Sequence, residues 1–565
     1  MKKLLAFILI LCMCLPFAVS CTNGNSEETS DTSPIVTEKN VVLANGMNAS
    51  YKIVTPADCS EQLTSTVTSL VTKLQQVTGA PFKMERDIGD SYVDSEGEII
   101  IGNCKRTDTA KILEATGYRD YSISVTDKNI VIAAHTDEAA INAVFKFMSY
   151  LTDELLTKDE TTKATTLLWK EDYTFIHENY SIKSMSLNGK NLKDYTIIYP
   201  SADMPEKNGE YALELQAIIG TACGYVLPIS DDTAPATELE ILIGKTNREE
   251  SATCAQQLGT LEFITTTVGD KLILLGNGAY TTKKALDSFD SNMRLVSTEL
   301  EEIDVKRCLI DGYEANTKGD YRVMQYNVLV EFDGWGSGGK LTPSIDVRKE
   351  IVAAAILGYS PDVLVLCEFF DQWRQKLPPL VESQYTLVQG DRADGVSNRT
   401  PIMYKTDKFD LVDSGYTDIS KAPGQINRRV VTWAVLKDKT TAKQLVVFGT
   451  HLTAEQNEIG EADRIAEIKK IRTVIETVTS TYQGHIILMG DFNSYVGSNA
   501  YNELEVHAGQ LGLTNVVKTL ASAMRTVDYV FLDDTMTAEN IIINYNNQTE
   551  FGSDHRPVVC DIKFK

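Results

Sequence analysis

Residues 485–493 read His-Ile-Ile-Leu-Met-Gly-Asp-Phe-Asn, an apolar run that ends in two polar residues separated by a phenylalanine. Such a short apolar run, bounded by polar residues and glycine, is typical of a buried β-strand. Asp491 and Asn493 are two positions apart, so their side chains point to the same face of an extended backbone. The segment therefore predicts a core strand with a carboxylate and an amide together at its carboxyl end.

The same arrangement recurs from Tyr321 to the end of the chain. Polar residues stand where the other apolar runs of this part end or begin: Asn327, Glu368, His451, Asp528 and His555. Amphipathic segments at 346–359 and 461–479 predict helices between these strands. Strands that alternate with helices predict an α/β domain, and polar residues at the strand ends predict a site on a rigid sheet edge.

Six short motifs, taken in this order, resemble the endonuclease/exonuclease/phosphatase superfamily. They are Tyr-Asn (326–327), Pro-Asp-Val…Glu (361–368), Thr-His-Leu (450–452), Gly-Asp-Phe-Asn (490–493), Val-Asp-Tyr (527–529) and Ser-Asp-His-Arg-Pro (553–557). The superfamily includes deoxyribonuclease I-like nucleases, neutral sphingomyelinases and inositol polyphosphate 5-phosphatases. The resemblance implies a four-layer α/β sandwich and a Mg²⁺-dependent phosphoesterase, with Mn²⁺ as the alternative ion.

The resemblance also implies a metal site. Glu368 would be the principal ligand, with Asn327 and Asp554 nearby. Carboxylates suit Mg²⁺, which prefers a few hard oxygen ligands and retains water. Asp491 and Asn493 would hold the attacking water and a phosphate oxygen.

Two histidines fit the acid and base roles of the same family. His555 would be the general base, and Asp528 would fix its tautomer, because an imidazole base needs its second nitrogen held. His451 would donate a hydrogen bond or a proton to the phosphoryl or leaving oxygen. Arg429 stands at a phosphate-contacting position, although Arg428 beside it leaves the register open.

One position departs from the family pattern. Some members pair the first histidine with a glutamate, and here Asn398 takes that place. An amide can orient His451 but cannot stabilise its cationic form as a carboxylate would. The acid role of His451 is therefore less secure than the base role of His555.

The middle of the chain contains a duplication. Glu98-Ile99-Ile100-Ile101-Gly102 returns as Glu240-Ile241-Leu242-Ile243-Gly244, an offset of 142 positions. Helix-like segments flank both copies, which predicts two tandem small α/β modules. The predicted organisation is a signal peptide (1–20), a tether (21–40), two modules (41–160 and 185–305) and the phosphoesterase domain (318–565). Neither module carries an assignable catalytic cluster, so we expect presentation or binding of a glycan or protein ligand.

The first residues have the anatomy of an export signal. Lys2 and Lys3 precede an apolar stretch that is too short to span a bilayer comfortably, and small residues follow it. Ala18-Val19-Ser20-Cys21 resembles a bacterial lipoprotein box, and a polar segment typical of a flexible tether follows. We expect lipidation at Cys21 and anchoring to the bacterial cell envelope or surface; an ordinary secreted protein is the alternative.

Charge narrows the substrate classes. The chain holds 78 Asp and Glu residues against 54 Lys and Arg residues, a net charge of −24, and residues 321–565 hold 31 against 25. Such a balance disfavours a protein whose main task is to coat nucleic acid. We expect a phosphodiesterase acting on a lipid or small-molecule phosphoester, with an extracellular nuclease as one alternative. A non-catalytic binding lipoprotein is the other, and the complete set of polar residues disfavours it.

Overall fold

The computed structural model describes residues 38–88, 95–182, 184–294, 303–307, 319–331, 343–388, 399–420, 428–543 and 552–565. The described residues form two compact units, one that runs to Glu114 and includes Tyr121–Phe175, and one that comprises Ala115–Asp120 and the described residues from Ile176 to Lys565. No helix among the described residues is long and apolar enough to cross a lipid bilayer.

The first unit contains a mixed six-stranded sheet and a four-stranded antiparallel sheet. Its elements are β1 (Lys39–Asn45), β2 (Asn48–Ala49), β3 (Lys52–Pro56), α1 (Glu61–Thr78), β4 (Met84–Asp87), β5 (Glu98–Ile101), α2 (Thr107–Leu113), β6 (Tyr121–Val125), β7 (Ile130–Ala134), α3 (Asp137–Met148), β8 (Leu156–Lys158), β9 (Ala164–Trp169) and β10 (Tyr173–Phe175). The strand orders are β10-β6-β7-β5-β3-β4 and β2-β1-β9-β8.

The second unit begins with an α/β module, which we call the second module. Its elements are β11 (Ser186–Leu187), β12 (Lys190–Asn191), β13 (Thr196–Tyr199), α4 (Pro205–Cys223), β14 (Ile229–Asp231), β15 (Glu240–Ile243), α5 (Glu249–Ala255), β16 (Glu262–Val268), β17 (Lys271–Gly276), α6 (Ala279–Arg294) and β18 (Ile303–Arg307). Its sheet has the order β14-β13-β15-β17-β16-β18. Read from the other end, β18-β16-β17-β15-β13-β14, it matches the first six-stranded sheet strand for strand, with the same parallel and antiparallel pairings.

A buried ion pair also occurs in both sheets at the same offset. Arg106 contacts Glu98 at 2.9 Å, and Arg248 contacts Glu240 at 3.1 Å. In each pair the glutamate is the first residue of a central strand, β5 or β15, the arginine follows that strand, and both side chains are almost fully buried. Buried charges are tolerated where they are paired and hydrogen-bonded. The duplication thus extends from sequence to topology and to one internal ion pair, whereas the residue limits of the predicted domains stay predictions.

The C-terminal domain, residues 319–565, contains two further six-stranded sheets. Its elements are β19 (Tyr321–Asn327), α7 (Ile345–Tyr359), β20 (Val363–Cys367), α8 (Asp371–Lys376), α9 (Pro378–Val381), β21 (Tyr385–Val388), β22 (Ile402–Lys405), β23 (Phe409–Asp418), β24 (Val430–Asp438), β25 (Gln444–His451), α10 (Glu458–Thr481), β26 (His485–Asp491), α11 (Asn499–Gln510), β27 (Leu513–Asn515), α12 (Lys518–Met524), β28 (Asp528–Asp533), β29 (Met536–Ile543) and β30 (Val558–Phe564). The strand orders are β21-β22-β20-β19-β30-β29 and β23-β24-β25-β26-β28-β27.

The two sheets pack face to face between helices. Val323 and Val365 belong to the apolar core shared with the second sheet, whereas Met324 and Leu364 belong to the core shared with α7. This alternation follows from the two-residue period of a strand. Gly449 allows the sheets to approach, because a Cβ there would lie 2.9 Å from Val365. Helices α10 and α11 cover the other sheet. The predicted four-layer α/β sandwich is confirmed.

The strand directions gather the polar residues at one end of the sandwich. Strands β19 and β20 are parallel and end at Asn327 and Cys367, which face each other in register. Strands β25 and β26 are parallel and end at the paired residues His451 and Asp491. Strand β28 runs the opposite way and begins at Asp528, the register partner of Asp491.

Candidate active site

A histidine and a carboxylate from different sheets meet at this end of the sandwich. His555, in the loop before β30, places Nδ1 2.8 Å from Oδ2 of Asp528 on β28. Asp528 is fully buried, and its carboxylate also accepts hydrogen bonds from Gln325 and Thr526 at 3.2 and 3.0 Å. A carboxylate at Nδ1 keeps the proton there and leaves Nε2 facing the site. Burial alone lowers the pKa of His555, but Asp528 and Asp491 outweigh it and hold that pKa well above its usual value.

Asp491 lies at the centre of the cluster. Its Oδ2 accepts a hydrogen bond from Asn327 Nδ2 at 3.0 Å and lies 3.6 Å from His451 Nε2 and 3.7 Å from His555 Nε2. Burial, and after it the charge of Asp528, raises the pKa of Asp491 to about 7. The site is therefore short of positive charge when all its carboxylates are ionised.

His451 differs from His555 in its electrostatic surroundings. The ring is buried, and burial lowers its pKa well below the usual value, with further lowering by the charges of Arg429 and His555. No carboxylate holds His451 as Asp528 holds His555 among the hydrogen bonds of the described residues. The neutral imidazole is thus the stable form of His451, and a neutral imidazole can donate one hydrogen bond.

The two neighbouring arginines before β24 point to different partners. Arg428 forms an ion pair with Asp418 at 3.1 Å. The charge of Arg429 instead acts on His451 and on the buried Glu467, and lowers the pKa of both. Adjacent residues of an extended chain face opposite sides. The two arginines therefore differ in their charged neighbours, and the choice of Arg429 as the phosphate contact stays a prediction.

Glu368 follows β20 in an unusual backbone conformation. Its φ is 59°, a left-handed value that a glutamate adopts only where the surroundings hold it. Its carboxylate accepts hydrogen bonds from Val330 N at 2.8 Å and from Asn327 Nδ2 at 3.1 Å. Asn327 Oδ1 accepts from Leu329 N at 3.0 Å, so its amide nitrogen links the carboxylates of Glu368 and Asp491. A role of Asn327 as a metal ligand stays a prediction, and it requires the amide to turn.

Asn493 and Asp554 are the remaining predicted site residues that the structure describes. Asn493 also has a left-handed backbone, and its N–H donates to Asp491 Oδ1 at 2.9 Å. Its side-chain nitrogen donates to the Leu452 carbonyl at 3.0 Å, which leaves its second amide hydrogen for another acceptor. Asp554 is half-buried beside His555, and its charge contributes to the raised pKa of that histidine.

The donor chemistry of this cluster fits a divalent cation. Glu368 and Asp554 offer hard oxygen ligands. Asp491, Asp528 and His555 each place one ligand atom within 4.8 Å of the others, so they form a second candidate position. Asp528 Oδ2 is already engaged by His555, which favours proton transfer for this trio. Burial and the charge of Asp528 raise the pKa of Asp491, and a cation bound nearby would lower it.

The structure adds residues that the sequence analysis missed. Gln325 Nε2 contacts both Asp528 and the Cys367 thiol, so it ties the two sheets together beneath the site. Ser553 Oγ donates to the Asn327 carbonyl at 2.6 Å and accepts from His555 N at 3.1 Å. The signal for Gln325 was a polar residue in the middle of an apolar strand. Ser553 stood inside the quoted motif and received no role there.

Several predicted features lie outside the described residues. They are Asn398 and, before residue 38, Cys21 with the signal and the tether.

The fold and the site together define a class, an α/β-sandwich hydrolase with a histidine–aspartate pair at the strand ends. Residues 324–555 match the model of the Endonuclease/Exonuclease/phosphatase family, which supports the superfamily resemblance of the C-terminal domain. Members of the family hydrolyse phosphoesters.

Solved structures similar to the C-terminal domain come from several organisms. The human Nocturnin catalytic domain with bound sulfate is 22% identical, with 43% of this chain and 94% of that chain covered and a TM-score of 0.36. An endonuclease/exonuclease/phosphatase from Bacteroides vulgatus is 21% identical (44% and 100% covered, TM-score 0.37). A mannosyl-6-phosphatase from Bacteroides thetaiotaomicron is 18% identical (43% and 100% covered, TM-score 0.34). No curated protein matches the chain.

Proposed function

We propose that this chain is an exported, Mg²⁺-dependent phosphodiesterase that splits a P–O bond by attack of water, with His555 as the general base. The observation that carries the proposal is the His555–Asp528 pair, whose second ring nitrogen faces Asp491 at 3.7 Å. A histidine held in one tautomer by a buried carboxylate is suited to remove a proton from water.

The residues of the chain divide the proton transfers among them. Neutral His555 takes a proton from water at Nε2, and Asp528 retains the Nδ1 proton and stabilises the resulting imidazolium. Ionised Asp491 accepts a hydrogen bond from the same water and orients it. The remaining amide hydrogen of Asn493 donates to a phosphoryl oxygen.

The divalent cation would be held by Glu368 and Asp554, with Asn327 beside them. When bound, it supplies positive charge that stabilises the phosphoryl oxygens and offsets the carboxylates that raise the pKa of His555. Mg²⁺ suits this oxygen-rich donor set, and Mn²⁺ is the natural substitute in assays.

His451 and Arg429 would supply a hydrogen bond and fixed positive charge to the substrate. The pKa of His451 lies well below the usual value because of burial and the charge of Arg429. His451 therefore donates a hydrogen bond to the leaving oxygen rather than a proton. Arg429 contributes fixed positive charge to the nonbridging oxygens, as preorganised donors do in phosphoryl transfer.

A nuclease is the second candidate function, and one feature favours it. Tyr495, two residues after Asn493, is about half exposed, and the guanidinium of the exposed Arg525 lies 6.0 Å from its ring centroid. An exposed ring beside a cation can stack a base and contact its phosphate. The slight acidity of residues 321–565 weighs against it, because sequence-tolerant nucleases surround their sites with basic residues.

Location and partners belong to the same proposal. Cys21 would carry the lipid that attaches the protein to the cell envelope, and the duplicated modules would hold a glycan or protein ligand. Palmitate labelling of the exported protein, lost in Cys21→Ser, tests the anchor. A freely secreted mature form would contradict it.

The assay of choice is hydrolysis of bis(4-nitrophenyl) phosphate with Mg²⁺ and with chelator, followed by a panel of DNA, RNA, sphingomyelin and inositol phosphates. The phosphodiesterase proposal expects turnover of the model diester that requires the metal. A protein that is inactive on every substrate would leave the binding lipoprotein as the correct description.

A further inference from the structure

One buried arginine donates hydrogen bonds to backbone carbonyls of two loops at the candidate active site. Arg348 lies on α7 and is fully buried. Its Nη1 donates to the carbonyls of Val328 and Leu329 at 3.1 and 3.4 Å and to that of Gly552 at 3.4 Å. Its Nη2 donates to the carbonyl of Val330 at 2.6 Å. A single guanidinium thus joins the loop after Asn327 to the loop that carries Asp554 and His555.

This arginine also supports Glu368 through one peptide group. The carbonyl of Leu329 accepts hydrogen bonds from Arg348 and, at 2.7 Å, from the buried indole of Trp373. The N–H of that same peptide group, on Val330, donates to Glu368 at 2.8 Å. Loss of a partner that orients a metal ligand typically lowers metal affinity by about 10- to 100-fold.

Two residues further along α7, a buried glutamate is attached to the second module. Glu350 Oε2 accepts a hydrogen bond from Thr281 N at 3.0 Å, at the first turn of α6. Carboxylates are favourable at a helix N-terminus, where backbone N–H groups are unpaired. The Glu350 carboxylate packs closely against the backbone of Gly278, since a side chain at Gly278 would overlap that carboxylate. Ala279, Val347 and Ile351 form a small apolar core around this contact.

We propose that α7 couples the second module to the active site: Glu350 anchors the module on α7, and Arg348, on the same helix, is a positioning residue for the loop that contacts Glu368 and for the loop that carries His555. The inference rests on the proposed function. It assigns to the second module a supporting role in metal binding, in addition to any ligand the module holds.

The test changes residues at the contact between Glu350 and the second module and measures the affinity of the active site for a metal ion. In the full-length protein, Gly278→Ala and Glu350→Ala should weaken Mn²⁺ binding, measured by electron paramagnetic resonance of the metal alone. Arg348→Lys should weaken it more, by about tenfold to hundredfold. Glu350→Gln, which keeps an acceptor for Thr281 N, should restore most of the affinity. The Mg²⁺ concentration that gives half-maximal hydrolysis should rise in the same order.

Two controls separate coupling from loss of folding. Lys349→Ala alters a partly exposed neighbour on α7, and Gly509→Ala adds a methyl where nothing lies within 4 Å. Both should bind Mn²⁺ like the parent. A Gly278→Ala variant that melts earlier but binds Mn²⁺ with unchanged affinity would overturn the coupling, whether or not Arg348→Lys folds. In that case metal-dependent hydrolysis by the parent would still support the proposed function, whereas a parent without metal binding would end both.

Discussion

The Nδ1 atom of His555, in the loop that leads into β30 of one sheet, lies 2.8 Å from Oδ2 of Asp528 on β28 of the other sheet. The contact therefore forms only when both sheets have packed. It is reinforced by Gln325, which reaches from β19 of one sheet to Asp528 of the other at 3.2 Å. The histidine–aspartate pair of the proposed general base therefore depends on the packing of the two sheets.

His555→Ala should lower kcat/KM for a phosphodiester by about 10²- to 10⁴-fold, because the variant lacks the group that removes the proton from water. Near-ultraviolet circular dichroism should show a retained fold. His485→Ala is the matched control, since His485 stands at the opposite end of β26 from Asp491. Turnover by His555→Ala within a few-fold of the parent would show that another group is the base.

The two adjacent arginines should differ in their importance. Arg429→Ala should lower kcat by about 10²-fold, because it removes fixed positive charge from the phosphoryl oxygens. Arg428→Ala should remain within a few-fold of the parent, since Arg428 pairs with Asp418. Steady-state kinetics on the same diester measures kcat for both variants. An equal loss of kcat in the two variants would refute the assignment of Arg429 as the phosphate contact.

His451 should act as a neutral donor. Its low pKa, caused by burial and by Arg429, means that a glutamine at this position can supply a comparable hydrogen bond. His451→Gln should keep about tenfold more activity than His451→Ala, the value of one hydrogen bond. Activity that is equally lost in both variants would instead favour proton donation by the imidazole.

Glu350 should make stability depend on pH in a defined direction. Burial raises its pKa above the ordinary 4.5, while Thr281, Lys349, Tyr280 and Lys245 act in the opposite sense. The folded state then binds a proton more tightly than the unfolded state, so this contribution to stability is complete below pH 4.5 and is lost as pH rises through the raised pKa.

Chemical denaturation of the parent and of Glu350→Gln, at a series of pH values above and below 4.5, measures that contribution. The free energy of unfolding of the parent, minus that of the variant, should fall as pH rises. The other buried groups cancel in this difference because both proteins contain them. A difference that stays constant or rises with pH would contradict the assignment.

Much of the fold and of the site was predictable because the informative residues sit at the ends of short buried strands. The helix predicted at 346–359 is α7, and the one predicted at 461–479 is α10, which begins earlier because the Asn457 side chain accepts a hydrogen bond from Gly460 N. The first strand of the domain ends at Asn327, one of the polar residues that the sequence places at strand ends. Leu329 adopts a left-handed φ of 61° there, and Arg348 binds the following carbonyls.

Other features depend on contacts that no local pattern encodes. Which of Arg428 and Arg429 faces the site depends on how the chain enters β24. The roles of Arg348 and Glu350 depend on loops and a module far away in the sequence. Their only local signal is charge at positions of α7 that are buried in the fold.

The most direct test of the central claim is the hydrolysis of bis(4-nitrophenyl) phosphate by the parent and by Glu368→Gln, each assayed with Mg²⁺ and with chelator. We expect the parent to hydrolyse the diester, chelation to abolish the reaction, added Mg²⁺ to restore it, and Glu368→Gln to lose about 10²-fold or more in kcat/KM. An inactive parent, or activity that persists through both chelation and Glu368→Gln, would contradict a metal-dependent phosphoesterase built on these strand ends.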